Sequence, residues 1–171
     1  RWKAVAEKIK VEYKLNEGSS FLHINCEKGF LLKDLKDILP KLNVIGLEKS
    51  DYARTNSMIE VRKFINKYEY DSLKNFQNKQ FDFVMAMGVV YALNLTDAIN
   101  CLKEINRISN KSFITLASYE TMDEYWLFKN WTLLGATILK KNEWIKVMKY
   151  ANYKGDYFFT NSNNLNLVWK D

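Results

Sequence analysis

The chain has 171 residues, a length that suits one domain, and 47% of them are hydrophobic, which excludes a disordered chain. No apolar run reaches the ~18 residues that a membrane span needs. The net charge of +6 comes mainly from scattered lysines, with only four arginines. Because proteins that read nucleic acids favour arginine for bidentate contacts, the composition disfavours a nucleic-acid partner.

The cysteines and the start of the chain indicate its setting. Cys26 and Cys101 match neither a disulfide framework nor a CxxC metal motif, so we expect a cytoplasmic protein without a metal site. The chain starts at Arg1 and enters a helical pattern at once, without a signal sequence. We therefore expect one domain over residues 1–171 that lacks some upstream residues. Whether it forms a homodimer is open.

Helical and extended patterns alternate over the first two thirds of the chain. In chain order they predict a helix at 2–15, a strand at 20–25, a helix from Gly29 to Pro40, a strand at 44–47, a helix at 52–65 capped by Ser50, a strand around 68–70, a strand at 81–87, a helix from Thr96 as its cap to Ile108, and a strand at 112–117. This order predicts a Rossmann-like, doubly wound α/β fold, with a mostly parallel sheet and helices on both faces.

The last third of the chain has a different texture. Residues 121–124 form a capping box that opens a helix rich in aromatic residues, and Asn142 precedes a further helix at 143–151. Two strand-like segments, 156–160 and 165–169, flank a turn at 161–164. We expect these two segments to form a C-terminal antiparallel hairpin.

The first strand–turn–helix unit carries the strongest functional signal. Residues 21–32, FLHINCEKGFLL, pass from an apolar run through a polar turn that closes on Gly29 into a helix. This order brings backbone N–H groups and a helix N-terminus to a nucleotide-like ligand. Glu48 ends the second strand 19 residues after Gly29, close to the ~20 expected for a carboxylate that binds ribose hydroxyls. Together these features suggest an adenosine-type cofactor.

The turn departs from the dinucleotide fingerprint at two positions. Asn25 and Glu27 stand where the first two glycines would be, and asparagine tolerates the left-handed backbone better than most residues. The Glu27 carboxylate would repel a pyrophosphate, which argues against NAD or ATP. S-adenosyl-L-methionine (SAM) carries a sulfonium and no phosphate, so it tolerates an acidic turn. The alternative is an ordinary βαβ turn without a ligand.

Several segments together resemble the class I SAM-dependent methyltransferases, and more narrowly a bacterial subgroup found with surface-polysaccharide and modified-sugar pathways. Residues 22–32 resemble the motif LDxGCGKGFLL, 45–53 (IGLEKSDYA) the motif GxDxSxYA, 81–88 (FDFVMAMG) the motif FDxVxxxN, and 102–107 (LKEINR) the motif LKEIxR. Later segments, 130–133, 143–144 and 153–157, resemble the subgroup's WxLT, EW and GYTGDY. In this chain His23 replaces the usual acid of the first strand, and Tyr91 stands where the subgroup commonly has a histidine.

The resemblance implies a set of cofactor contacts. It implies that the turn holds the methionine end of SAM through Asn25, Cys26, Glu27 and Gly29. It implies that Glu48 holds the ribose. The adenine would lie against Lys49, Glu69 and Tyr70, and the crevice after the fourth strand would be lined by Ala86, Met87 and Gly88.

Acceptor-side candidates lie after the fourth and fifth strands. Tyr91, Tyr119 and Glu124 are the predicted catalytic residues, with Glu120, Trp131 and Asp156 as further candidates. Glu124 also suits a capping box, and His23 a buried, hydrogen-bonded imidazole. We expect O-methylation of a small molecule such as a sugar, a nucleotide-sugar or another capsular precursor. A methyltransferase fold that serves as a binding or scaffold subunit and an RNA or protein methyltransferase are the alternatives.

Overall fold

The computed structural model describes residues 2–69 and 71–169 and contains one sheet with helices on both faces. Its strands are β1 (Ser20–Ile24), β2 (Asn43–Glu48), β3 (Ile65–Lys67), β4 (Phe81–Ala86), β5 (Ser109–Tyr119), β6 (Leu139–Lys140) and β7 (Asp156–Thr160). Its α-helices are α1 (Lys3–Glu12), α2 (Phe30–Ile38), α3 (Asp51–Thr55), α4 (Leu95–Ile108), α5 (Met122–Trp131) and α6 (Lys141–Tyr150). None of the helices in these two ranges is both long and apolar enough to cross a membrane.

The strands lie in the order β3-β2-β1-β4-β5-β6, and β7 pairs with β5. All of these pairs are parallel, which confirms the doubly wound α/β fold. Alternate residues of β4 enter opposite cores: Phe83 packs with α1 and α2, and Val84 packs with α4 and α6. The apolar runs read as buried strands because both faces of this sheet are covered.

The helix after Ser50 is shorter than predicted. Ser50 caps α3 as expected, its Oγ accepting a hydrogen bond from the Ala53 N–H at 3.2 Å. Asn56 Nδ2 then donates to the Tyr52 carbonyl at 2.9 Å and Ser57 Oγ donates to the Arg54 carbonyl at 2.7 Å. Because these side chains take the last helical carbonyls, the helix ends there. A 3₁₀ turn comes next, and β3 forms three residues earlier than predicted.

The predicted C-terminal hairpin is wrong. β7 forms, but it runs parallel to β5. The turn at 161–164 is present, with Asn161 and Asn164 each accepting a backbone N–H of the other. The chain then makes further turns in place of a second strand, and Leu165 and Leu167 pack against a small cluster around Phe128. Burying these leucines against α5 replaces the edge pairing that a hairpin would need.

The register of the sheet sets the position of the candidate site. Ile24 at the end of β1 pairs with Leu47 of β2 and with Ala86 of β4, so the three carboxyl ends lie level. In contrast, Asp156 pairs with Phe113 near the amino end of β5. The prediction that residues 153–157 lie at the carboxyl-end rim is therefore wrong, because β7 is parallel. Helix α4 is capped by Asn94 rather than Thr96, and α6 begins at Lys141, before Asn142.

Candidate functional site

The turn after β1 has alternating left-handed residues. Asn25, Glu27 and Gly29 have φ values of +61°, +51° and +77°. A side chain in this region costs about 1–2 kcal/mol, and asparagine tolerates it best. Gly29 is required for space as well, since a Cβ there would lie 2.8 Å from Ile65 Cδ1. The chain thus builds with asparagine and glutamate a turn that glycines usually make.

Glu48 links this turn to the end of β2. Its Oε2 accepts the Glu27 N–H and its Oε1 accepts the Ser50 N–H, both at 2.8 Å. The residue is 4% exposed, so these bonds form away from bulk water. Each oxygen keeps one further lone pair. A ribose hydroxyl at this position would share the carboxylate with the backbone.

Cys26 is a structural residue of the same turn. Its N–H donates to the Leu47 carbonyl at 3.1 Å, and a Cβ at Gly46 would lie 2.6 Å from its sulfur. Burial, and then the Glu48 carboxylate, raises the pKa of the Cys26 thiol to about 12. The thiol therefore stays protonated at neutral pH and is not a nucleophile.

The end of β4 faces this turn. Asn25 Nδ2 donates to the Met87 carbonyl at 3.1 Å, and the Gly88 N–H donates to Thr115 Oγ1 at 2.8 Å. Gly88 has a φ of +69°, and a Cβ there would lie 3.6 Å from both Asn25 Nδ2 and Tyr91 Oη. The structure therefore brings Tyr91 next to the first turn. Ala86, just before this segment, is fully buried.

Tyr91 is a half-buried phenol. Its ring lies edge-on to Phe128, with the ring centroids 6.0 Å apart. Burial raises the pKa of Tyr91 above its usual value. The hydroxyl therefore stays protonated at neutral pH and can donate or accept a hydrogen bond, but it is a poor base.

Lys49 and Glu69 line a different cavity of about 470 Å³, together with Tyr68, Leu73 and Leu93. Glu69 is exposed and its Oε1 lies 2.7 Å from Lys67 Nζ. The hydrogen bond from Lys67 lowers the pKa of Glu69. The cavity is wide enough for a flat ring, with apolar walls and a charged rim. Tyr70, also predicted to contact adenine, lies outside the described residues.

A smaller cavity of about 70 Å³ lies beside the first turn. It is lined by Trp2, His23, Asn25, Cys26, Glu27, Phe30, Leu31 and Met87. His23 is 5% exposed, and its Nδ1 has no hydrogen-bond partner among residues 2–69 and 71–169. Burial lowers the pKa of this imidazole to about 4, so it is neutral at pH 7. Sequence reasoning expected a hydrogen-bonded core histidine, and only its position inside an apolar strand indicated otherwise.

The acceptor-side candidates are divided between contacts. Tyr91 and Tyr119 both pack against the small cluster of Ala117, Phe128 and Ile138, and Trp131 is half-exposed with its ring against Phe128. Glu124 Oε2 accepts the Glu120 N–H at 2.7 Å, and its Oε1 accepts Asn163 Nδ2 at 2.8 Å. The Glu120 backbone bond lowers the pKa of Glu124, and this geometry makes it a helix cap rather than a free base. The exposed Glu120 side chain lies 3.8 Å from Lys141 Nζ.

The chain's sequence family is shown by a family model. The model described as "Methionine biosynthesis protein MetW" matches residues 6–152. The chain belongs to the MetW family. The match takes in β1 through α6 and the whole first turn, but the family's description names no polysaccharide pathway. The polysaccharide association suggested by the resemblance therefore has no support. No curated protein matches this MetW-family chain significantly.

Solved structures share the fold at low sequence identity. A SAM-dependent methyltransferase from Archaeoglobus fulgidus has a TM-score of 0.61 and 16% identity, over 90% of this chain and 70% of that one. The YcgJ protein from Bacillus subtilis has a TM-score of 0.66 and 11% identity, over 86% and 67%. The complex between the Trm112 methyltransferase activator of Haloferax volcanii and the protein described as its methyltransferase contains a chain with a TM-score of 0.61 and 17% identity, over 88% and 74%. These likenesses establish the methyltransferase fold.

Proposed function

We propose that this MetW-family chain binds SAM at the carboxyl ends of β1, β2 and β4 and transfers its methyl group to a small-molecule acceptor. The observation that carries the proposal is the left-handed turn of Asn25, Glu27 and Gly29, tied to the buried Glu48 carboxylate. Ligands of open α/β sheets bind at this edge. The two unpaired, buried cysteines suit a cytoplasmic protein.

The residues present fit SAM in chemical terms. The turn from Asn25 to Gly29 would hold the methionine end, and Glu48 would accept a ribose hydroxyl on its free lone pairs. The large cavity beside Lys49 and Glu69 would hold the adenine, with Tyr70 retained as a predicted contact. The remaining predicted contacts, Ala86, Met87 and Gly88, lie across from the turn.

Tyr91 is the best-placed residue to orient an acceptor. SAM supplies an activated methyl group, so much of the acceleration comes from holding the acceptor oxygen in line with it. The protonated Tyr91 hydroxyl, next to Asn25 and Gly88, would hold that oxygen by a hydrogen bond. Tyr119 would shape the same side through the cluster at Phe128. Glu124 would act through the cap of α5 and not as a base.

Thermal stability tests cofactor binding directly. S-adenosylhomocysteine at about 100 times its dissociation constant should stabilise the fold by about 2.7 kcal/mol, which raises the melting temperature by about 5–10 °C for a chain of this size. NAD and ATP should give no shift, because the Glu27 carboxylate lies at the turn where a pyrophosphate would bind. Scanning calorimetry with each ligand checks this. A shift with NAD alone would assign the site to a dinucleotide.

Tyr91→Phe tests the acceptor side. We expect methyl transfer to fall while the affinity for SAM stays within about twofold, a difference of ~0.4 kcal/mol, because the hydroxyl faces the acceptor and not the adenosine. Product formation and calorimetric titration measure the two effects separately. Tyr150→Phe on the exposed side of α6 is the matched control. Equal losses of transfer and SAM affinity would place Tyr91 among the cofactor contacts.

A binding or scaffold role is the second candidate. Both Glu48 oxygens already accept backbone N–H groups, so the turn is stable without a ligand. A fold neighbour from Haloferax volcanii also lies in a complex with a methyltransferase activator. The absence of any melting shift with SAM or S-adenosylhomocysteine would favour this role over the enzyme.

A further inference from the structure

The cavity of about 70 Å³ beside the first turn has a consistent chemical character. Glu27 is the one charged residue among the described residues that line it. Asn25 uses its Nδ2 on the Met87 carbonyl, which leaves its amide oxygen as an acceptor. His23 contributes a neutral imidazole whose Nδ1 is unpaired among the described residues. The polar groups are thus mainly acceptors around one negative charge.

The remaining walls of the cavity are apolar and aromatic. Trp2 and Phe30 line it with the Met87 thioether. Aromatic faces attract a desolvated cation, and a nearby carboxylate adds charge attraction. An anionic group would instead lie beside the Glu27 carboxylate with no lysine or arginine among the described lining residues. The volume admits only a few heavy atoms, so a head group fits and a ring system does not.

We propose that this cavity binds a small cationic head group, the α-ammonium of the amino-acid end of the cofactor, with Glu27 as its counter-ion and His23 as a neutral hydrogen-bonding partner. This inference rests on the proposed cofactor. It also gives a reason for a glutamate at a left-handed position, where its φ of +51° is unfavourable. The negative charge comes from the turn because the strand position holds an uncharged imidazole.

The first test separates the charge from the backbone. S-adenosylhomocysteine carries the ammonium, whereas 5′-deoxy-5′-methylthioadenosine has the same nucleoside without the amino-acid end. Glu27→Gln keeps the size and the backbone strain but removes the charge, so it should weaken S-adenosylhomocysteine binding at least tenfold and leave methylthioadenosine binding unchanged. Glu27→Gly should give the same selective loss although its turn is relaxed. Glu7→Gln on the exposed face of α1 is the matched control.

The second test uses the fact that the chain has one histidine. In protein labelled with ¹⁵N-histidine, the two imidazole nitrogens of His23 can be observed without any assignment problem. S-adenosylhomocysteine should shift them and methylthioadenosine should not. The imidazole should remain neutral in the complex, since it partners an ammonium.

The outcomes distinguish this inference from the proposed function. If neither ligand binds the wild-type protein, the cofactor proposal fails and this inference fails with it. If both bind but Glu27→Gln weakens neither and the His23 signals do not move, the cofactor stands and the cationic cavity is overturned. A His23 that becomes protonated in the complex would assign the cavity to the carboxylate of the ligand.

Discussion

Glu48→Ala is expected to destabilise the fold by about 3–5 kcal/mol, because it removes a buried carboxylate that accepts two backbone N–H groups at 2.8 Å. Hydrogen bonds to charged groups contribute about 1.5–3 kcal/mol each, and the Glu27 and Ser50 donors would lose their acceptor. Chemical denaturation monitored by circular dichroism measures the loss. Glu7→Ala, which removes an exposed acid from α1, should change stability by less than about 0.5 kcal/mol.

Glu48→Gln keeps the test informative if the alanine variant does not fold. The amide has the same size but only one oxygen, so one of the two N–H groups would face an NH₂ group. We expect a smaller loss of stability and a loss of about 1.5–3 kcal/mol in affinity for S-adenosylhomocysteine, since the charge-assisted bond to ribose is gone. Unchanged stability in both variants would show that the two hydrogen bonds contribute little. Unchanged affinity would remove Glu48 from the ribose site.

The first half of the fold could be predicted from the sequence because local and global signals agree there. The apolar strand at 81–86 and the amphipathic helix at 95–108 have one interpretation each, and both form. The segment after Ser50 misled, because the cap is real but Asn56 and Ser57 end the helix through side-chain bonds to its carbonyls. Such competition depends on rotamers that periodicity does not encode.

Strand direction at the C-terminus could not be predicted from local pattern. The turn at 161–164 has the asparagine-rich composition of a hairpin turn, and it does form. The path of the chain after this turn depends on a distant surface, since Leu165 and Leu167 pack on Phe128. Pairing of β7 with β5 is likewise a long-range event, and nothing in residues 156–160 specifies parallel or antiparallel.

The site was predictable in position and only in part in contacts. The spacing from Gly29 to Glu48 located the turn and the acid that meet at the sheet edge. The backbone acceptor role of Glu48 requires the three-dimensional approach of two turns, which spacing does not reveal. The same holds for His23, whose lack of a partner at Nδ1 among the described residues results from the packing around β1.

His23 should make the fold sensitive to mild acid. Its pKa is lowered to about 4 by burial, whereas in the unfolded chain it has the ordinary value of about 6.5. Below pH 6.5 the unfolded state takes up a proton that the folded state refuses, so stability present above that pH is lost as the pH falls towards 4. One such group accounts for about 2 kcal/mol at pH 5 and about 3 kcal/mol at pH 4.

The His23→Leu variant isolates this contribution from that of the carboxylates. Acidic groups titrate in both proteins and cancel in the difference, and no other histidine is present. The difference in unfolding free energy between variant and wild type should therefore be constant above pH 7 and should grow in favour of the variant by about 2 kcal/mol at pH 5. Urea unfolding at a series of pH values measures it. Parallel curves would mean that the folded imidazole accepts a proton at its ordinary pKa, so that it reaches solvent through the cavity beside Glu27.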